Sequence, residues 1–160
     1  MEIKAKDKET GRKLKYTLLS SELNYNREYV AYFGLAPGET QRIMINSTKL
    51  AKTLFMDSRI DNEETKRTVY KVENFSICSF LNNRQISKLF SFLYQEFVGN
   101  STVFKCPIQP GIYYLRNRIG THMVPAFHPS GTFCLTVRMK RELKRPITIE
   151  LIWRYKVVRT

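Results

Sequence analysis

Three cysteines, at positions 78, 106 and 134, are the residues whose chemistry the sequence marks most clearly. Cys78 and Cys106 bracket a segment with helical apolar spacing. A disulfide between them would close a loop, stabilise the folded state by about 3–4 kcal/mol and tie that helix to the sheet. The alternative is two buried free thiols in a reducing compartment. Cys134 lies on the polar face of its strand, which leaves a free thiol or an intermolecular bridge open. The spacings do not fit C-x-x-C pairs, which disfavours a zinc ribbon or a thioredoxin-like redox site.

Three N-x-[ST] triplets mark possible glycosylation sites, and they begin at Asn46, Asn74 and Asn100. About one such match is expected by chance in a chain of this composition. The excess predicts N-glycosylation if the protein is secreted. Because glycans and disulfides both belong to the secretory route, the triplets favour the disulfide between Cys78 and Cys106.

The remaining chemistry-bearing residues do not form a catalytic or metal-binding pattern. The histidines, His122 and His128, lie six positions apart, a spacing that fits neither a helical i,i+4 pair nor a Cys/His metal set. No nucleophile has a local signature such as G-x-S-x-G, and no glycine-rich phosphate loop occurs. The sequence therefore predicts a protein that is not an enzyme and that has no metal and no cofactor.

The chain is strongly basic, with 27 Lys plus Arg against 14 Asp plus Glu and a formal net charge of +13. Such a charge can attract nucleic acid, anionic membranes and acidic ligands as partners. Binding to single-stranded nucleic acid needs basic residues interleaved with exposed aromatics. Here Phe133, Trp153 and Tyr155 alternate with the charged positions and fall on the opposite strand face. This separation disfavours nucleic acid and leaves an anionic surface as an auxiliary partner.

Period-two alternation dominates the chain and predicts strands. The predicted strand segments are residues 25–33, 43–56, 67–80, 112–115, 132–140 and 147–157. Residues 67–80 are expected to form a hairpin with 43–56 across a polar linker at 57–66. The last two segments are expected to form an antiparallel hairpin with one apolar face.

One segment has helical rather than period-two spacing. Its apolar residues are Ile86, Leu89, Phe90, Leu93 and Phe97, and Gly99 follows as a C-cap. The prediction is a mainly β protein, a β-sandwich with one α-helix near residues 84–98 inserted before the last three strands.

One domain is expected over residues 1–160, with a charged N-terminal segment at 1–15 and the sandwich at 16–158. No apolar run is long enough to span a bilayer. The N-terminus lacks the apolar stretch of a secretory signal, so the secreted interpretation takes the signal as removed.

The apolar face of the predicted strands and helix is either a closed core or the wall of a ligand site, and the pattern leaves both open. The candidate cavity-lining residues are Phe90, Leu93, Phe97, Phe133, Leu135, Val137, Leu151, Trp153 and Tyr155. Arg138, Lys140 and Arg154 are candidate rim partners for an anionic head group, although they fall on the opposite strand face.

Two stretches of the chain resemble a known family. The first runs from Asn74 to Leu81 and ends in a C-x-F-L motif, followed by the predicted helix and by Cys106-Pro107. The second, residues 124–133, is similar to that family's P-x-x-x-P-x-G-x-aromatic entry to the terminal hairpin. The family is an insect-expanded group of small secreted proteins, catalogued as a domain of unknown function. It is grouped with the ML lipid-recognition superfamily, whose members include ganglioside-activator-like and chemosensory-type proteins.

The resemblance covers residues 24–158 and implies an immunoglobulin-like antiparallel β-sandwich of the ML type. It also implies secretion, a disulfide between Cys78 and Cys106, and a hydrophobic ligand between the sheets. We therefore expect a secreted, non-enzymatic binding protein for a lipid or other hydrophobic small molecule, with a chemosensory or lipid-transfer role and with a membrane receptor or anionic surface as further partner. The alternative is a secreted closed-core interaction module that uses a basic face to bind a protein or an anionic surface.

Overall fold

The computed structural model describes residues 2–6, 13–83, 94, 98, 104–117 and 128–159, and these residues include nine strands and the short helix α1. The strands are β1 (Glu2–Lys6), β2 (Lys13–Tyr25), β3 (Val30–Leu35), β4 (Arg42–Ser47), β5 (Phe55–Asn62), β6 (Thr68–Ser76), β7 (Gly111–Arg116), β8 (Gly131–Lys140) and β9 (Ile149–Arg159). The helix α1 (Ile77–Asn82) lies between β6 and β7.

The strands form two antiparallel sheets that pack against each other. The larger sheet has the order β1-β2-β9-β8-β5-β6, and the smaller sheet has the order β3-β4-β7. Buried side chains from both sheets share one hydrophobic cluster. The expected fold class, a mainly β antiparallel sandwich with a helix before the last three strands, is confirmed.

The hairpin of β8 and β9 has the alternation that the sequence predicts. Phe133 pairs with Tyr155, Leu135 with Trp153, and Val137 with Leu151. These side chains point toward the smaller sheet because successive strand residues alternate between faces.

The predicted strand at residues 25–33 is wrong, because a turn interrupts it. β2 ends at Tyr25 and β3 begins at Val30. The Asn26 side chain accepts a hydrogen bond from the Glu28 backbone N–H, and the Asn26 carbonyl accepts from Val30. This Asx turn reverses the chain while the alternation of residue types continues across it by coincidence.

The predicted strand at 43–56 and its partner at 67–80 also need correction. β4 ends at Ser47, and the chain leaves the smaller sheet before β5 begins at Phe55 in the larger one. β6 pairs with β5, so much of the expected polar linker at 57–66 is strand. Those residues are polar because Asp57, Arg59 and Asp61 occupy the outward positions of a half-buried strand.

The ends of the predicted helix and of the predicted sandwich also differ from expectation. α1 spans Ile77–Asn82, so the last four residues of the strand predicted at 67–80 are helical instead. The expected helix at 84–98 lies outside the described residues except for Tyr94 and Val98, which are helical.

The charged N-terminal segment contributes β1 and the beginning of β2, so strand pairing of the larger sheet reaches Glu2. No helix in the described ranges is long and apolar enough to cross a membrane.

Large aromatic side chains close the core at one end of the sandwich. Trp153, Tyr155 and Phe133 have at most 1% of their surface exposed, as does Tyr16 on the neighbouring strand β2. The Phe133 and Tyr155 rings stack with their centroids 5.8 Å apart. This end of the sandwich is filled by protein atoms.

A buried histidine belongs to this closed end. His128 is 3% exposed, and its ring packs edge-on against Phe133 with the centroids 4.2 Å apart. Its Nδ1 lies 2.9 Å from the Pro129 carbonyl oxygen and its Nε2 lies 3.1 Å from the Tyr155 hydroxyl. Both contacts suit a neutral ring that donates from Nδ1 and accepts at Nε2. Burial lowers the pKa of His128, and the nearby Arg159 guanidinium acts in the same direction.

We expect the free energy of unfolding to fall as the pH drops below about 6.5, the ordinary histidine pKa. Because the folded-state pKa of His128 is lowered, the unfolded chain binds more protons in this range, and acid favours unfolding. The variant His128→Gln keeps a polar side chain but does not titrate there. Urea unfolding at pH 7.5 and pH 5.5 should show a larger loss for the wild type than for this variant, and equal losses would contradict the account.

Candidate functional site

An apolar cavity of about 200 Å³ lies between the two sheets, beside the closed core. It is larger than the roughly 150 Å³ engineered cavity that binds benzene in another protein. The larger sheet contributes Met56, Ser58, Ile60, Tyr70, Leu135, Val137, Met139, Ile149 and Leu151. The smaller sheet contributes Val30, Phe33, Ile45, Ser47, Tyr113 and Leu115.

The cavity exists because side-chain size changes along β8 and β9. At one end of the hairpin, Phe133, Trp153 and Tyr155 fill the space between the sheets. At the other end, the inward positions carry aliphatic residues such as Val137 and Leu151. Sheets in a sandwich lie about 10 Å apart, so smaller side chains leave part of that space empty.

A wall outside the sheets covers one side of the cavity, and the disulfide fixes it. Cys78 in α1 is bonded to Cys106, as the sequence and the resemblance both indicated. Two backbone hydrogen bonds join Ala51 to Ile108, at 2.9 and 2.7 Å. The described part of this wall also includes Leu54, Ile77, Leu81, Tyr94, Val98 and Phe104. The disulfide therefore ties together the segments that enclose the apolar space.

The end of the cavity nearest the β8–β9 turn carries its two cationic side chains. The Arg141 guanidinium lies 4.7 Å from the centre of the Tyr29 ring, and the Lys49 ammonium lies 5.2 Å from it. Thr148 lines the same cavity and is 7% exposed. The cavity thus combines apolar walls with two cations and with the hydroxyl-bearing residues Ser47, Ser58 and Thr148, which is typical of sites for amphipathic small molecules.

Three of the nine predicted cavity-lining residues line this cavity, namely Leu135, Val137 and Leu151. Phe133, Trp153 and Tyr155 share their strand face but belong to the closed core instead. Phe90, Leu93 and Phe97 lie outside the described residues. In the described part of the chain, no cluster of His, Cys, Asp and Glu side chains could hold a metal ion.

The three predicted rim cations do not reach the cavity. Arg138 pairs with Glu150 at 2.7 Å, Lys140 with Asp57 at 3.0 Å, and Arg154 with Glu63 at 2.6 Å. All three pairs lie on the outer face of the larger sheet, as expected from strand alternation. The hydrogen bonds from Arg154 lower the pKa of Glu63, which keeps this carboxylate ionised beside its partner.

The two cations at the cavity were not predicted from the sequence, although both continue the alternation of inward-facing positions beyond the end of a strand. Arg141 continues the inward positions 135, 137 and 139 beyond the end of β8. Lys49 continues the inward positions 43, 45 and 47 beyond the end of β4. A charged residue in phase with an apolar strand face, just past the strand end, marks the polar end of an inter-sheet space.

Comparison with known proteins assigns the family. A family model described as "Protein of unknown function (DUF1091)" matches residues 52–135, more than half of the chain. The chain belongs to this family. The match includes β5, β6, α1 and both bonded cysteines, so the DUF1091 region supplies the disulfide and much of the cavity wall. The domain of unknown function expected from the resemblance is thereby confirmed.

Other comparisons add little to the DUF1091 assignment. No curated protein matches the chain. Among solved structures, it is similar to "chicken MD-1 complexed with lipid IVa", with 13% sequence identity and a TM-score of 0.34. That alignment covers 98% of this chain and 96% of the other. The fold given above rests on the strand pairing of the chain itself.

Proposed function

We propose that this protein is a non-enzymatic binding protein that holds a lipid or another hydrophobic small molecule between its two sheets. The observation that carries the proposal is the apolar cavity of about 200 Å³, lined from both sheets. Transfer of an apolar chain from water into such a space is favourable by about 0.8 kcal/mol per buried methylene. Part of this gain offsets the lost freedom of the ligand. A chemosensory or lipid-transfer role would use this reversible transfer of a ligand between water and the cavity.

Secretion and glycosylation form part of the same proposal. A disulfide between Cys78 and Cys106 is typical of proteins that fold in an oxidising compartment. Asn74 is exposed at the edge strand β6, and Asn46 is half-buried in β4, while Asn100 lies outside the described residues. Asn74 is therefore the better acceptor of the two. The mass of protein secreted by insect cells, before and after enzymatic deglycosylation, tests this assignment, and an unchanged mass would contradict it.

The alternative, a closed-core module that binds through a basic outer face, has less support. The described core contains a cavity, and Arg138, Lys140 and Arg154 on that face each have a carboxylate partner. Paired surface charges attract an anionic surface less than unpaired ones do.

We expect the variant Val137→Phe to weaken binding of N-phenyl-1-naphthylamine, a neutral fluorescent probe, by about tenfold or more. Val137 lines the cavity, and a phenyl group there would occupy the space that the probe needs. A tenfold loss corresponds to about 1.4 kcal/mol. Fluorescence titration of the wild type and the variant measures the effect.

The matched control is Val69→Phe, the same substitution at a side chain that is 47% exposed on β6. It should leave probe affinity unchanged. Urea unfolding should show that Val137→Phe is folded, because the new ring enters empty space. If the folded variant binds the probe as well as the wild type does, or if the wild type does not bind it, the proposed function fails.

A further inference from the structure

Two buried polar atoms in the apolar cavity lack a hydrogen-bond partner among the described residues. The Thr148 hydroxyl and the Nε of Arg141 are both buried, and neither has a partner among the described residues. Thr148 is only 7% exposed. A buried donor without a partner costs about 1–3 kcal/mol, more when it is charged, so most buried polar groups are paired. Both atoms therefore indicate a bonding partner that is not part of the chain.

Hydrogen bonds hold both residues firmly in place. Arg141 Nη2 donates to the Leu50 carbonyl, and the Arg141 carbonyl accepts from the Thr53 hydroxyl at 2.6 Å. The Thr148 backbone N–H donates to Met139 at 2.8 Å, and its carbonyl accepts from Asn26 at 2.9 Å. The backbone of both residues and one guanidinium nitrogen of Arg141 are thus held in place before any ligand arrives, which lowers the entropic cost of binding.

The charge at this end of the cavity favours an anion. The Arg141 guanidinium and the Lys49 ammonium both lie close to the ring of Tyr29, at 4.7 and 5.2 Å from its centre. The opposing carboxylate is Glu28, which lies 3.9 Å from Lys49 and is largely exposed. A guanidinium N–H and a hydroxyl both donate to carboxylate or phosphate oxygens, and such charge-assisted bonds are about twice as strong as neutral ones.

We propose that Arg141 and Thr148 form a head-group site for a carboxylate or phosphate whose apolar chain lies in the cavity. This assignment rests on the proposed function and narrows its ligand class to anionic amphiphiles with one acidic end. Neutral apolar molecules would fill the cavity but would leave both polar atoms unpaired. The site would hold the acidic end at the turn between β8 and β9, and the chain would extend along Val137 and Leu151 toward the closed core.

The test compares decanoic acid with 1-decanol, two probes with the same chain and different head groups. Each is measured by its displacement of N-phenyl-1-naphthylamine at pH 8, where decanoic acid is ionised. The wild type should bind decanoate about 10- to 100-fold more tightly than decanol. Arg141→Gln should abolish this preference, and Thr148→Val should reduce it about 3- to 10-fold, while decanol affinity stays constant in both.

Two features keep the test independent of misfolding. Thr148→Val has nearly the same shape and removes an unpaired hydroxyl, so its stability should equal or exceed that of the wild type. Arg145→Gln is the matched charge control, because Arg145 lies in the same turn, is 63% exposed and pairs with Glu142. This control should keep the full preference for decanoate.

Equal affinity of the wild type for decanoate and decanol would overturn the head-group site, as would an unchanged preference in both cavity variants. Displacement by acetate in the same concentration range as decanoate would also overturn it, because the site would then bind small anions without a chain. If Val137→Phe still blocks the neutral probe in these cases, the proposed function stands and only the head-group assignment fails. If the wild type binds N-phenyl-1-naphthylamine but neither decanoate nor decanol, the head-group assignment fails. If it binds none of the three, both proposals fail.

Discussion

Replacing Trp153 by alanine is expected to lower the free energy of unfolding by about 3–5 kcal/mol. Trp153 has no exposed surface and lies in the middle of the closed core, opposite Leu135 on β8 and Ser21 on β2. Truncation would remove its apolar contacts and leave a void that the two sheets cannot close. Since small domains are stable by only about 5–15 kcal/mol, this one change would remove a large part of the total.

Urea unfolding followed by circular dichroism measures this effect, because the chain has one tryptophan and the variant loses that fluorophore. Lys156→Ala is the control, since Lys156 is exposed on the opposite face of the same strand. It should change the free energy of unfolding by no more than about 0.5 kcal/mol. A loss below about 1 kcal/mol for Trp153→Ala would show that this end of the sandwich is not closed.

Removal of the disulfide by the double variant Cys78→Ser, Cys106→Ser is expected to cost about 3–4 kcal/mol of stability. The two cysteines are 28 positions apart, and without the bond the unfolded chain gains the freedom of that loop. The variant should also bind the fluorescent probe more weakly, because the bond joins α1 to the segment that carries Ile108 in the cavity wall.

Cys134→Ser is the matched control for the disulfide prediction. Cys134 is a free, half-buried thiol in β8, and burial raises its pKa, which favours the protonated thiol at neutral pH. Its replacement should cost less than about 1 kcal/mol in the same urea experiment. Equal stabilities of the double variant and the Cys134 variant would contradict the structural role of the disulfide.

Local alternation was enough to predict the hairpin of β8 and β9, since its inward and outward positions follow from residue type alone. It did not predict the pairing of β5 with β6, because the polar outward residues of β5 resembled a linker. The break between β2 and β3 could not be found in this way. It depends on Asn26 accepting backbone hydrogen bonds, and a pattern of alternating residue types does not reveal such a turn.

The sequence predicted an apolar space between the sheets, but only some of the residues that line it. Leu135, Val137 and Leu151 were expected at an inter-sheet space, and they line one. Trp153 and Tyr155 share their strand face, but side-chain size rather than polarity decides which part of that face is filled. The cavity is also lined by residues of the smaller sheet, which are far away in sequence. No pattern within β9 alone could therefore reveal it.

The central claim is that an apolar ligand enters the space between the sheets, and methyl NMR tests it most directly. Titration with N-phenyl-1-naphthylamine should shift the methyl resonances of Leu135, Val137 and Leu151, because an aromatic ring beside them changes their local field. The methyl resonances of Val157, which lies in the closed core, should not move. Shifts confined to exposed side chains such as Leu19 and Ile112, with the cavity methyl groups unchanged, would contradict the claim.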